Sequence, residues 1–397
     1  MSSRRLRILV VDHVTKVMGG AEVNLVELLG HCDVRERWET QVACRGDSPL
    51  DKALVPLGCQ RHDYGFGASL NELRIVGRGF SPMAKFRGWQ EMQRARVRLR
   101  EIIDAVQPEI VLSCTNKDHF VAGAAAQSTE VRSVWWVNDL LTRDFFSWPI
   151  RGLFAIKARS LARRLAPVSD CGKAALIREG VPAKRIVTIH NGIPLEKYKR
   201  DEGRPLRSEL GVMDGEPLFG ILGRLTPWKG QDRFLELAEA WKAAGLPGRF
   251  AIIGRAFNEE AHFETALRAY VRDRRLERLV HFVPFQSNVA AVLSSLDVLV
   301  HMSVKPEPFG RVLIEAMAVG TPVLASRGGG VPEIVTEGLD GELAEPGAVP
   351  EYLAKLRKMS APGSLAAYAQ NTRATVKKKF SLDRVVGDFS NLFSALR

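Results

Sequence analysis

Short apolar runs alternate with helical patterns along most of the chain. The first run, RILVVDH, is followed by a glycine-rich break at Gly19 and Gly20 and by the helical pattern AEVNLVELLGH. The later apolar runs of the first half are TQVAC, EIVLSCT, SVWWVN, RLAPVSD and RIVTIHN. Because such runs alternate with amphipathic helices in parallel sheets joined by crossovers, the first half predicts a doubly wound α/β domain.

A polar, turn-rich stretch at 191–205, NGIPLEKYKRDEGRP, separates this series from a second one. The second series contains the apolar runs PLFGILGRL, RFAIIGRA, LVHFVPF, LDVLVHMS, TPVLAS and GELAEP. A chain of 397 residues also exceeds one ordinary hydrophobic core. We therefore expect two Rossmann-like domains, 1–195 and 205–377, with a crevice between them where carboxyl ends of strands face each other.

Composition indicates a globular protein of a reducing compartment. Hydrophobic residues make up 46% and charged residues 26% of the chain. The five cysteines include no C-x-x-C pair, so neither a disulfide framework nor a zinc site is predicted. The first apolar run is too short for a signal peptide, and no stretch approaches the roughly 20 apolar residues that cross a bilayer. These features predict a cytoplasmic protein, with peripheral binding to the inner face of the cell membrane as a further option.

The net charge of +12 is concentrated in the first half of the chain. Residues 1–190 carry 29 Lys and Arg against 20 Asp and Glu, whereas the remainder carries 28 against 25. The segments MAKFRGWQEMQRARVRLREII and SLARRL are basic and amphipathic, which favours an anionic membrane surface as a partner; a solvated helix face is the alternative. No nucleic-acid recognition module accompanies the charge. The basic residues concerned are Arg74, Arg78, Lys85, Arg87, Arg94, Arg96, Arg98, Arg100, Lys157, Arg159, Arg163 and Arg164.

The two Rossmann-like halves do not carry the signatures of common nucleotide enzymes. The turns after their first strands, HVTKVMGGAE and LGRLTPWKGQ, lack the G-x-G-x-x-G spacing of dinucleotide-binding proteins. The chain also contains no G-x-x-x-x-G-K-[ST] motif. Neither a dehydrogenase nor a P-loop enzyme is predicted.

The stretch KPEPFGRVLIEAMAVGTPVLAS, at residues 305–326, carries the candidate chemistry. A helix predicted to begin near Gly310 offers free N–H groups and the positive end of its dipole to a diphosphate. Glu315, inside that helix, can accept two ribose hydroxyls, and Glu307, before it, can bind sugar hydroxyls at the other end of the diphosphate. The alternative to a binding role is that Glu307 is an ordinary loop residue and Glu315 a solvated helix residue. The apolar neighbours of Glu315 in sequence disfavour this alternative for Glu315.

This stretch resembles the E-x7-E signature of the retaining GT-B glycosyltransferases, in particular family 4. GRLTPWKGQDRFLELAE resembles the diphosphate loop of that family, and MGGAE resembles the glycine loop of its first domain. That resemblance assigns Arg224 and Lys229 to the donor phosphates. The alternative is that both residues form ordinary ion pairs at the surface. The resemblance implies catalytic roles for Glu307, Arg224, Lys229 and Asn138. It implies donor binding by Gly19, Gly20, Arg224, Lys229, Glu307, Phe309, Gly310, Arg311, Val312 and Glu315.

The resemblance also implies a fold and a reaction. The fold is GT-B, two facing Rossmann-like domains, with the last helix at 378–397 crossing back to the first. The reaction is transfer of a hexose-type sugar from a UDP- or GDP-linked donor to an acceptor, with retained anomeric configuration. The acceptor would be a cell-surface glycan or a lipid-linked precursor, as in polysaccharide or lipopolysaccharide biosynthesis. Neither a metal nor another cofactor is expected; the chain has no Asp-x-Asp, and Lys and Arg would take the role of a metal ion.

The acceptor side departs from the family pattern. Many relatives have His-Asp after a first-domain strand, where this chain has Asn138 and Asp139. Asn can form hydrogen bonds but cannot take a proton, which leaves the identity of the sugar open. We expect Asn138, Asp139 and His119 on the acceptor side. The alternative for His119 is a structural role at the start of a helix, without contact with the acceptor. The nucleotide base is expected near 255–257 and 283–286, although core packing is the favoured role for Phe282 and Phe285.

Two other functions remain open from the sequence. A sugar-nucleotide epimerase or a phosphorylase would share the fold, but the Arg224 and Lys229 pair together with the E-x7-E spacing disfavours both. A non-catalytic protein that binds a glycan or a nucleotide sugar is a different class. Release of nucleotide during incubation with an acceptor distinguishes a transferase from it.

Overall fold

The structure is a computed structural model that describes residues 5–14, 17–65, 82–127, 129–257 and 260–397, with the side chains of 82–85 excepted. Arg74 and Arg78, part of the predicted basic surface, lie outside the described residues. The chain divides into two units. Unit 1 contains residues 1–191 and 382–397, and unit 2 contains residues 192–381.

Unit 1 is built on a parallel six-stranded sheet. Its strands are β1 (Leu6–Asp12), β2 (Trp38–Cys44), β3 (Gln60–Asp63), β4 (Ile110–Ser113), β5 (Arg132–Val137) and β6 (Arg164–Pro167). Their order across the sheet is β3-β2-β1-β4-β5-β6, and β1 pairs in parallel with both β2 and β4. The chain direction across the sheet therefore reverses between β1 and β4, the topological switch point at which open α/β sheets bind ligands.

Helices connect these strands. They are α1 (Gly20–Gly30), α2 (Cys32–Arg37), α3 (Pro49–Leu54), α4 (Pro82–Val106), α5 (Asn116–Ala126), α6 (Trp148–Leu161) and α7 (Asp170–Arg178). Helix α5 contacts both α4 and α6, so these three helices lie side by side. Small residues allow the close packing, since a Cβ at Gly123 of α5 would lie 2.8 Å from the Leu161 side chain of α6.

Unit 2 repeats the architecture. Its strands are β7 (Leu218–Leu222), β8 (Arg249–Ile253), β9 (Val280–Val283), β10 (Val298–His301), β11 (Val323–Ser326) and β12 (Gly341–Ala344). The order is β12-β11-β10-β7-β8-β9, all pairs parallel, so the switch point lies between β7 and β10. The helices are α8 (Pro205–Glu209), α9 (Gln231–Ala243), α10 (Ala261–Asp273), α11 (Val289–Ser295), α12 (Arg311–Ala318), α13 (Val331–Ile334), α14 (Val349–Met359) and α15 (Ser364–Lys379).

The last helix, α16 (Leu382–Ser394), belongs to unit 1. Its apolar face is buried, and Phe389 and Phe393 make edge contacts with Trp136 and Trp38, at centroid distances of 5.1 Å each. Aromatic pairs in this geometry add to the free energy gained from burial alone. The expected α/β fold, with two parallel sheets and a final helix that returns to the first domain, is confirmed.

The structure contains one strand that was not predicted and lacks one that was. The polar segment Gln60–Asp63, which no apolar run marks, is the edge strand β3. The run RIVTIHN was predicted as a strand, but only Ile186 forms a bridge, to Leu165. Val187 N and Ile189 N donate to the carbonyls of Leu165 and Pro167, so this segment lies against the edge of β6 without forming a full ladder. Among the described residues, none of the helices is both long enough and apolar enough to cross a bilayer.

Candidate functional site

The switch point of unit 2 gathers several of the predicted donor residues. His301 ends β10, and Lys229 follows β7 in a single 3-10 turn. Together with Val312 of α12 they line one pocket at the carboxyl ends of β7 and β10. The predicted diphosphate loop and the start of the E-x7-E helix therefore meet at the edge of the sheet where ligands of such folds bind.

Glu307 lies next to this pocket and is held by three side chains, two of which line it. Lys229 Nζ donates to Glu307 Oε1 at 2.7 Å, and Ser303 Oγ donates to Glu307 Oε2 at 3.0 Å. His301 Nε2 lies 3.4 Å from the same Oε2 and 3.1 Å from Ser303 Oγ. Burial alone would raise the pKa of the Glu307 carboxyl, but the charge of Lys229 and the hydrogen bond from His301 lower it, and the net pKa lies well below its usual range. Glu307 is therefore an anion at neutral pH and cannot serve as a general acid.

The main chain of Glu307 is fixed by the loop after β11. Glu307 and Gly329 form an isolated parallel bridge, and Gly330 N donates to Glu307 O at 2.9 Å. Gly329 has φ of +62°, and a Cβ there would lie 1.9 Å from Glu307 O. Only glycine combines this backbone conformation with so close an approach.

Lys229 is placed by a second close approach. Gly230 has φ of +76°, and a Cβ at this position would lie 2.1 Å from Met302 O. Val304 N donates to Trp228 O at 2.9 Å, which ties the turn to the segment after β10. The Lys229 ammonium also lies 4.2 Å from the centroid of the Trp228 ring, a cation–π distance. Two chain segments that converge at the switch point thus fix the Lys229 and Glu307 pair.

Arg224 lies in the same loop as Lys229, with an exposed side chain. Its guanidinium is 5.7 Å from the centroid of Phe257, and Gln231 Nε2 donates to its carbonyl at 2.9 Å. Arg255 lies 5.8 Å from the same ring and 5.3 Å from the ring of Phe285. Phe285 is 63% exposed, so the core packing predicted for it is wrong, whereas the partly buried Phe282 packs against the core of unit 2. Cations and aromatic faces therefore line the carboxyl ends of β8 and β9, where the base was expected.

Glu315 lies on α12 and is 8% exposed. Arg311 Nε donates to Glu315 Oε1 at 2.7 Å, and Tyr198 Oη donates to the same atom at 2.9 Å. Arg311 Nη2 also donates to Tyr198 Oη at 3.0 Å, which closes a three-membered ring of polar groups. Phe309, just before the helix, is buried against Phe380 at a centroid distance of 5.6 Å. Gly310 is the residue that precedes α12, as predicted.

Gly19 and Gly20, the predicted glycine loop, begin α1 in unit 1. Gly19 N donates to Glu22 Oε2 at 2.6 Å, so Glu22 of the first turn caps the helix. Asn138 follows β5, and its Nδ2 donates to the carbonyls of Cys114 and Trp136. Asp139 is exposed and accepts from Asn116 Nδ2 at 2.7 Å. These residues all follow strands of unit 1 or begin its first helix, but the roles predicted for them stay predictions.

His119 lies in the core of unit 1 instead of at a surface. It is 1% exposed, its ring is stacked on Trp135 with centroids 4.9 Å apart, and its Nδ1 lies 2.7 Å from Ser113 Oγ. Burial lowers the pKa of His119 to about 3, against a smaller opposing effect of Asp118. A neutral imidazole packed in this way does not reach an acceptor, and we leave it out of the proposed site.

A buried polar network at the switch point of unit 1 was not predicted. Asp118, 0% exposed, accepts from His13 N and from Tyr64 Oη, at 3.0 and 2.6 Å. Its Oδ2 also lies 2.9 Å from His13 Nδ1 and accepts from Thr115 Oγ1 at 2.8 Å. Burial raises the pKa of Asp118, but His13, Tyr64 and Thr115 outweigh it, so the net pKa is lowered. His13, Tyr64 and Thr115 follow β1, β3 and β4, Asp118 lies on α5, and no local sequence pattern joins these residues.

The neighbouring Asp12 differs from Asp118 in its surroundings. It is also 0% exposed, and Val14 N donates to its Oδ1 at 3.0 Å. Among the described residues, its Oδ2 has no hydrogen-bond partner. Burial and the nearby charges of Asp118 and Glu22 raise its pKa well above the usual value. A buried carboxyl with a raised pKa at a ligand-binding edge is a common feature of functional sites.

A group of potential metal ligands lies apart from these residues. His31, Cys32 and Asp33 bring one ligand atom each within 4.8 Å of one another, at the junction of α1 and α2. His31 Nε2 is 3.0 Å from Asp383 Oδ1, so that ring nitrogen is already paired. None of the residues that line the pocket of unit 2 belongs to such a group in the part of the chain that the structure describes.

Two family models match the chain, one in each half. Residues 204–375 match "Glycosyl transferases group 1", and residues 18–197 match "Glycosyltransferase Family 4". The chain is 27% identical over 305 residues to D-inositol 3-phosphate glycosyltransferase of Mycobacterium marinum, which covers 66% of this chain and 64% of that protein. It is 30% identical over 184 residues to the protein of the same name in Mycobacterium tuberculosis H37Ra, with 46% and 37% covered. The chain thus matches less than two thirds of the length of these relatives.

Solved structures share the fold over nearly the whole chain. Anabaena HepE in complex with UDP-glucose has a TM-score of 0.83 at 23% identity, with 98% of this chain and 100% of that chain covered. Sucrose-phosphate synthase of Thermosynechococcus elongatus has a TM-score of 0.80 at 20% identity, with 99% of both chains covered. The fold is therefore the GT-B fold predicted from the sequence. The two matched domains, in this order and on this fold, show that the chain belongs to the group 1 and family 4 glycosyltransferases.

Proposed function

We propose that this protein transfers a hexose-type sugar from a nucleotide diphosphate sugar to a hydroxyl of an acceptor, with retention of the anomeric configuration and without a metal ion. The observation that carries the proposal is the Lys229 and Glu307 pair, 2.7 Å apart at the switch point of unit 2. The Lys229 ammonium is suited to bind a diphosphate, and the Glu307 carboxylate is suited to bind sugar hydroxyls. The two residues lie on adjacent loops. Sugar and diphosphate are the two parts that meet at the reacting bond of such a donor.

In this proposal the leaving diphosphate is stabilised by protein charge. Lys229, Arg224 and the N–H groups that begin α12 supply positive charge at one edge of the sheet. As the bond between the anomeric carbon and the phosphate oxygen breaks, negative charge builds up on the diphosphate, and prearranged cations lower the energy of that state. The acceptor oxygen bonds to the anomeric carbon on the same face, and its proton passes to a phosphate oxygen of the leaving group.

The carboxylates hold the two sugars of the donor. Glu307 is an anion because of Lys229 and His301, so it accepts hydrogen bonds from hydroxyls of the transferred sugar and donates no proton. Glu315 accepts the ribose hydroxyls, which replace or join Arg311 and Tyr198 as its partners. Tyr198 and Arg311 keep the carboxylate oriented before the donor binds.

The base of the nucleotide lies, in this proposal, against the aromatic and cationic surface formed by Arg255, Phe257 and Phe285. The exposed ring of Phe285 and the half-buried ring of Phe257, both next to a guanidinium, suit the stacking of a flat heterocycle. The complex of Anabaena HepE with UDP-glucose supports uracil as the base and glucose as the sugar to try first. We keep GDP-linked sugars as the comparison.

The acceptor is proposed to bind on unit 1, near the residues that follow its strands. Asn138, Asp139 and the loop at Gly19 and Gly20 are the candidates for contact with it. We propose a cell-surface glycan or a lipid-linked precursor as its class, and a cytoplasmic location with peripheral binding to the membrane.

A donor screen followed by product identification tests the proposal. The purified chain is titrated with UDP-glucose, UDP-galactose, GDP-mannose and ADP-glucose by calorimetry, with and without EDTA. Donor release is then followed with a mixture of glycans and lipid-linked sugars, and the anomeric configuration of the product is read by NMR. Binding of one donor, transfer with retention and insensitivity to EDTA are expected. Binding without transfer would support a non-catalytic binding protein, and an altered free nucleotide sugar would support an epimerase.

A further inference from the structure

Exposed apolar side chains are concentrated on two helices of unit 1. Of the 14 large apolar residues that are exposed in the described chain, six lie on α4 and α6. They are 50–77% exposed, and Trp148 at the start of α6 is the most exposed of them. Isolated exposed apolar residues are normal, but a concentration of this kind marks an interaction surface. The six are Phe86, Trp89, Val97, Trp148, Leu153 and Ile156.

On α4 these residues form one stripe. Phe86, Trp89 and Val97 are three and eight residues apart, which puts them on one side of a helix. The rings of Phe86 and Trp89 stack on each other with centroids 6.1 Å apart. The opposite side of the helix packs Ala95, Leu99 and other residues into the core. The stripe is therefore the solvent side of α4, and the core packing does not use it.

On α6 the same division recurs. Phe154, Ala155 and Ala158 are buried, whereas Leu153 and Ile156 are exposed. Helix α5 lies between α4 and α6, and none of its residues is exposed. The two stripes thus belong to the helices that flank a recessed one, on the same side of the sheet.

Positive charge surrounds both stripes. Apart from Arg98, which pairs with Glu101, the exposed cations on or just after the two helices are Arg87, Arg94, Arg96, Lys157, Arg159 and Arg163. Helix α6 contains no acidic residue. The acidic residues of α4 are Glu91, Glu101 and Asp104, and the last two pair with Arg98 and Arg100. Aromatic and aliphatic residues in a rim of Arg and Lys are the composition of surfaces that lie in the headgroup region of anionic bilayers. A protein partner would require acidic groups around an apolar patch of its own, and nothing in the structure favours that over a lipid surface.

The first turns of α4 extend beyond the sheet. Helix α4 has 25 residues, about 37 Å, whereas β4, which follows it after a short connection, has 4 residues, about 13 Å. The end of α4 is fixed at the amino edge of the sheet by this connection. Its start, with Phe86 and Trp89, therefore projects past the carboxyl edge, the edge at which ligands bind.

We propose that the solvent sides of α4 and α6 form a docking face for an anionic lipid bilayer. The face is defined by the six exposed apolar residues and the six exposed cations named above. The apolar side chains enter the headgroup region, and the cations pair with lipid phosphates. This inference rests on the proposed function only in that docking brings the carboxyl edge of unit 1 close to lipid-linked acceptors. Docking itself requires neither donor nor acceptor.

Vesicle flotation tests this proposal. The full chain is mixed with vesicles of phosphatidylcholine alone or of equal parts phosphatidylcholine and phosphatidylglycerol, at low and high salt. Two double variants, F86S/W89S and W148S/L153S, are compared with the control double variant V55S/M213S, which removes residues that are 54% and 70% exposed elsewhere. Because all these residues are exposed, the melting temperatures should agree within about 2 °C, which confirms that each variant is folded.

The expected result is flotation with the anionic vesicles, weakened at least ten-fold in each of the first two variants and unchanged in the control. Replacing one of the six cations by Ala should weaken binding about five-fold. No flotation of the wild type overturns the proposal, and so does flotation that salt abolishes but the apolar variants leave intact. A wild-type dimer that does not float and that W148S/L153S converts to a monomer also overturns it, in favour of self-association. The affinity for UDP-glucose, measured on the same samples without vesicles, reports separately on the proposed function.

Discussion

Lys229 Nζ and Glu307 Oε1 are 2.7 Å apart, and each group is less than a quarter exposed. The two charges are brought together by loops that follow different strands, β7 and β10. Each partner lowers the energy of the other only while both are ionised, and a bound diphosphate would compete with Glu307 for the ammonium. The pair therefore holds both groups in place before the donor arrives.

Replacing Lys229 by Ala should lower donor turnover about 10²–10³-fold, the range found when one group that stabilises the leaving charge is removed. The measurement is the steady-state rate of UDP release from the donor that the screen identifies. The control is Lys378→Ala, which removes an exposed lysine of α15 and should leave the rate unchanged. Equal rates in the wild type and in the Lys229 variant would exclude the proposed role of this residue.

Replacing Tyr198 by Phe should raise the KM for the donor about three- to ten-fold and leave kcat within about two-fold. The hydroxyl that orients Glu315 is lost, whereas the carboxylate that binds the ribose remains. Glu315→Ala removes the carboxylate itself and should raise the KM further, by about 10–100-fold. A matched control exists in the same unit, since Tyr270 Oη donates to Glu239 away from the pocket. If Tyr270→Phe changed the KM as much as Tyr198→Phe, the effect would be a general loss of stability.

Replacing Asp12 by Asn should stabilise the protein at neutral and alkaline pH. The folded pKa of Asp12 is raised, so the folded state favours the protonated carboxyl, and stability is lost as pH rises from the unfolded value of about 4 through the folded pKa. Asparagine is neutral at every pH and escapes this loss. We expect a rise in melting temperature of at least about 2 °C at pH 8 and little change at pH 4. The exposed Asp214→Asn variant, measured in parallel, should show no such difference between the two pH values.

Asp118 should behave in the opposite sense. Its folded pKa is lowered, so its contribution to stability is present above the unfolded pKa of about 4 and is lost as pH falls. Asp118→Asn should lower the free energy of unfolding by about 2–4 kcal/mol at pH 7, because an amide cannot accept from all of its present donors. The loss should shrink at acid pH, and thermal unfolding between pH 3 and pH 8 measures it. Asp104→Asn, which breaks a surface ion pair with Arg100, should cost less than about 0.5 kcal/mol.

Replacing Gly329 by Ala should reduce turnover at least about ten-fold. A Cβ there would collide with the carbonyl of Glu307, and the loop must shift. Gly338→Ala separates this effect from backbone strain, since Gly338 has φ of +79° but no atom within 4 Å of the added Cβ. Both variants should lose about 1 kcal/mol or more of stability, and only the Gly329 variant should lose activity. Loss of activity in both would show that strain alone, without displacement of Glu307, accounts for the result.

Much of the fold followed from apolar runs, because a buried parallel strand must be apolar on both faces. The exceptions are explained by position. The strand Gln60–Asp63 lies at the sheet edge, where its side chains meet solvent and need no apolar pattern. The run RIVTIHN has buried isoleucines at 186 and 189, but it lies against the edge of β6 through two donated hydrogen bonds only.

The pocket of unit 2 was predicted in part, because one stretch of 22 residues carries both glutamates. The partners of those glutamates were not predicted. His301 and Ser303 read as part of a strand, and Tyr198 lies in the polar segment that was interpreted as a linker. His119 was expected on the acceptor side, but it lies in the first turn of α5 with its ring buried against Trp135. Contacts that depend on the packing of distant segments leave no local signal in a sequence.

The bridge between Glu307 and Gly329 has a consequence for how relatives are judged. The main chain of Glu307 is held in place by contacts with the loop after β11, and those contacts leave no room for a side chain at Gly329. A homologue that keeps the glutamate but has a bulkier residue at the position of Gly329 is therefore expected to be inactive. The residue at the position of Gly329 would then distinguish active from inactive paralogues better than the presence of Glu307 does.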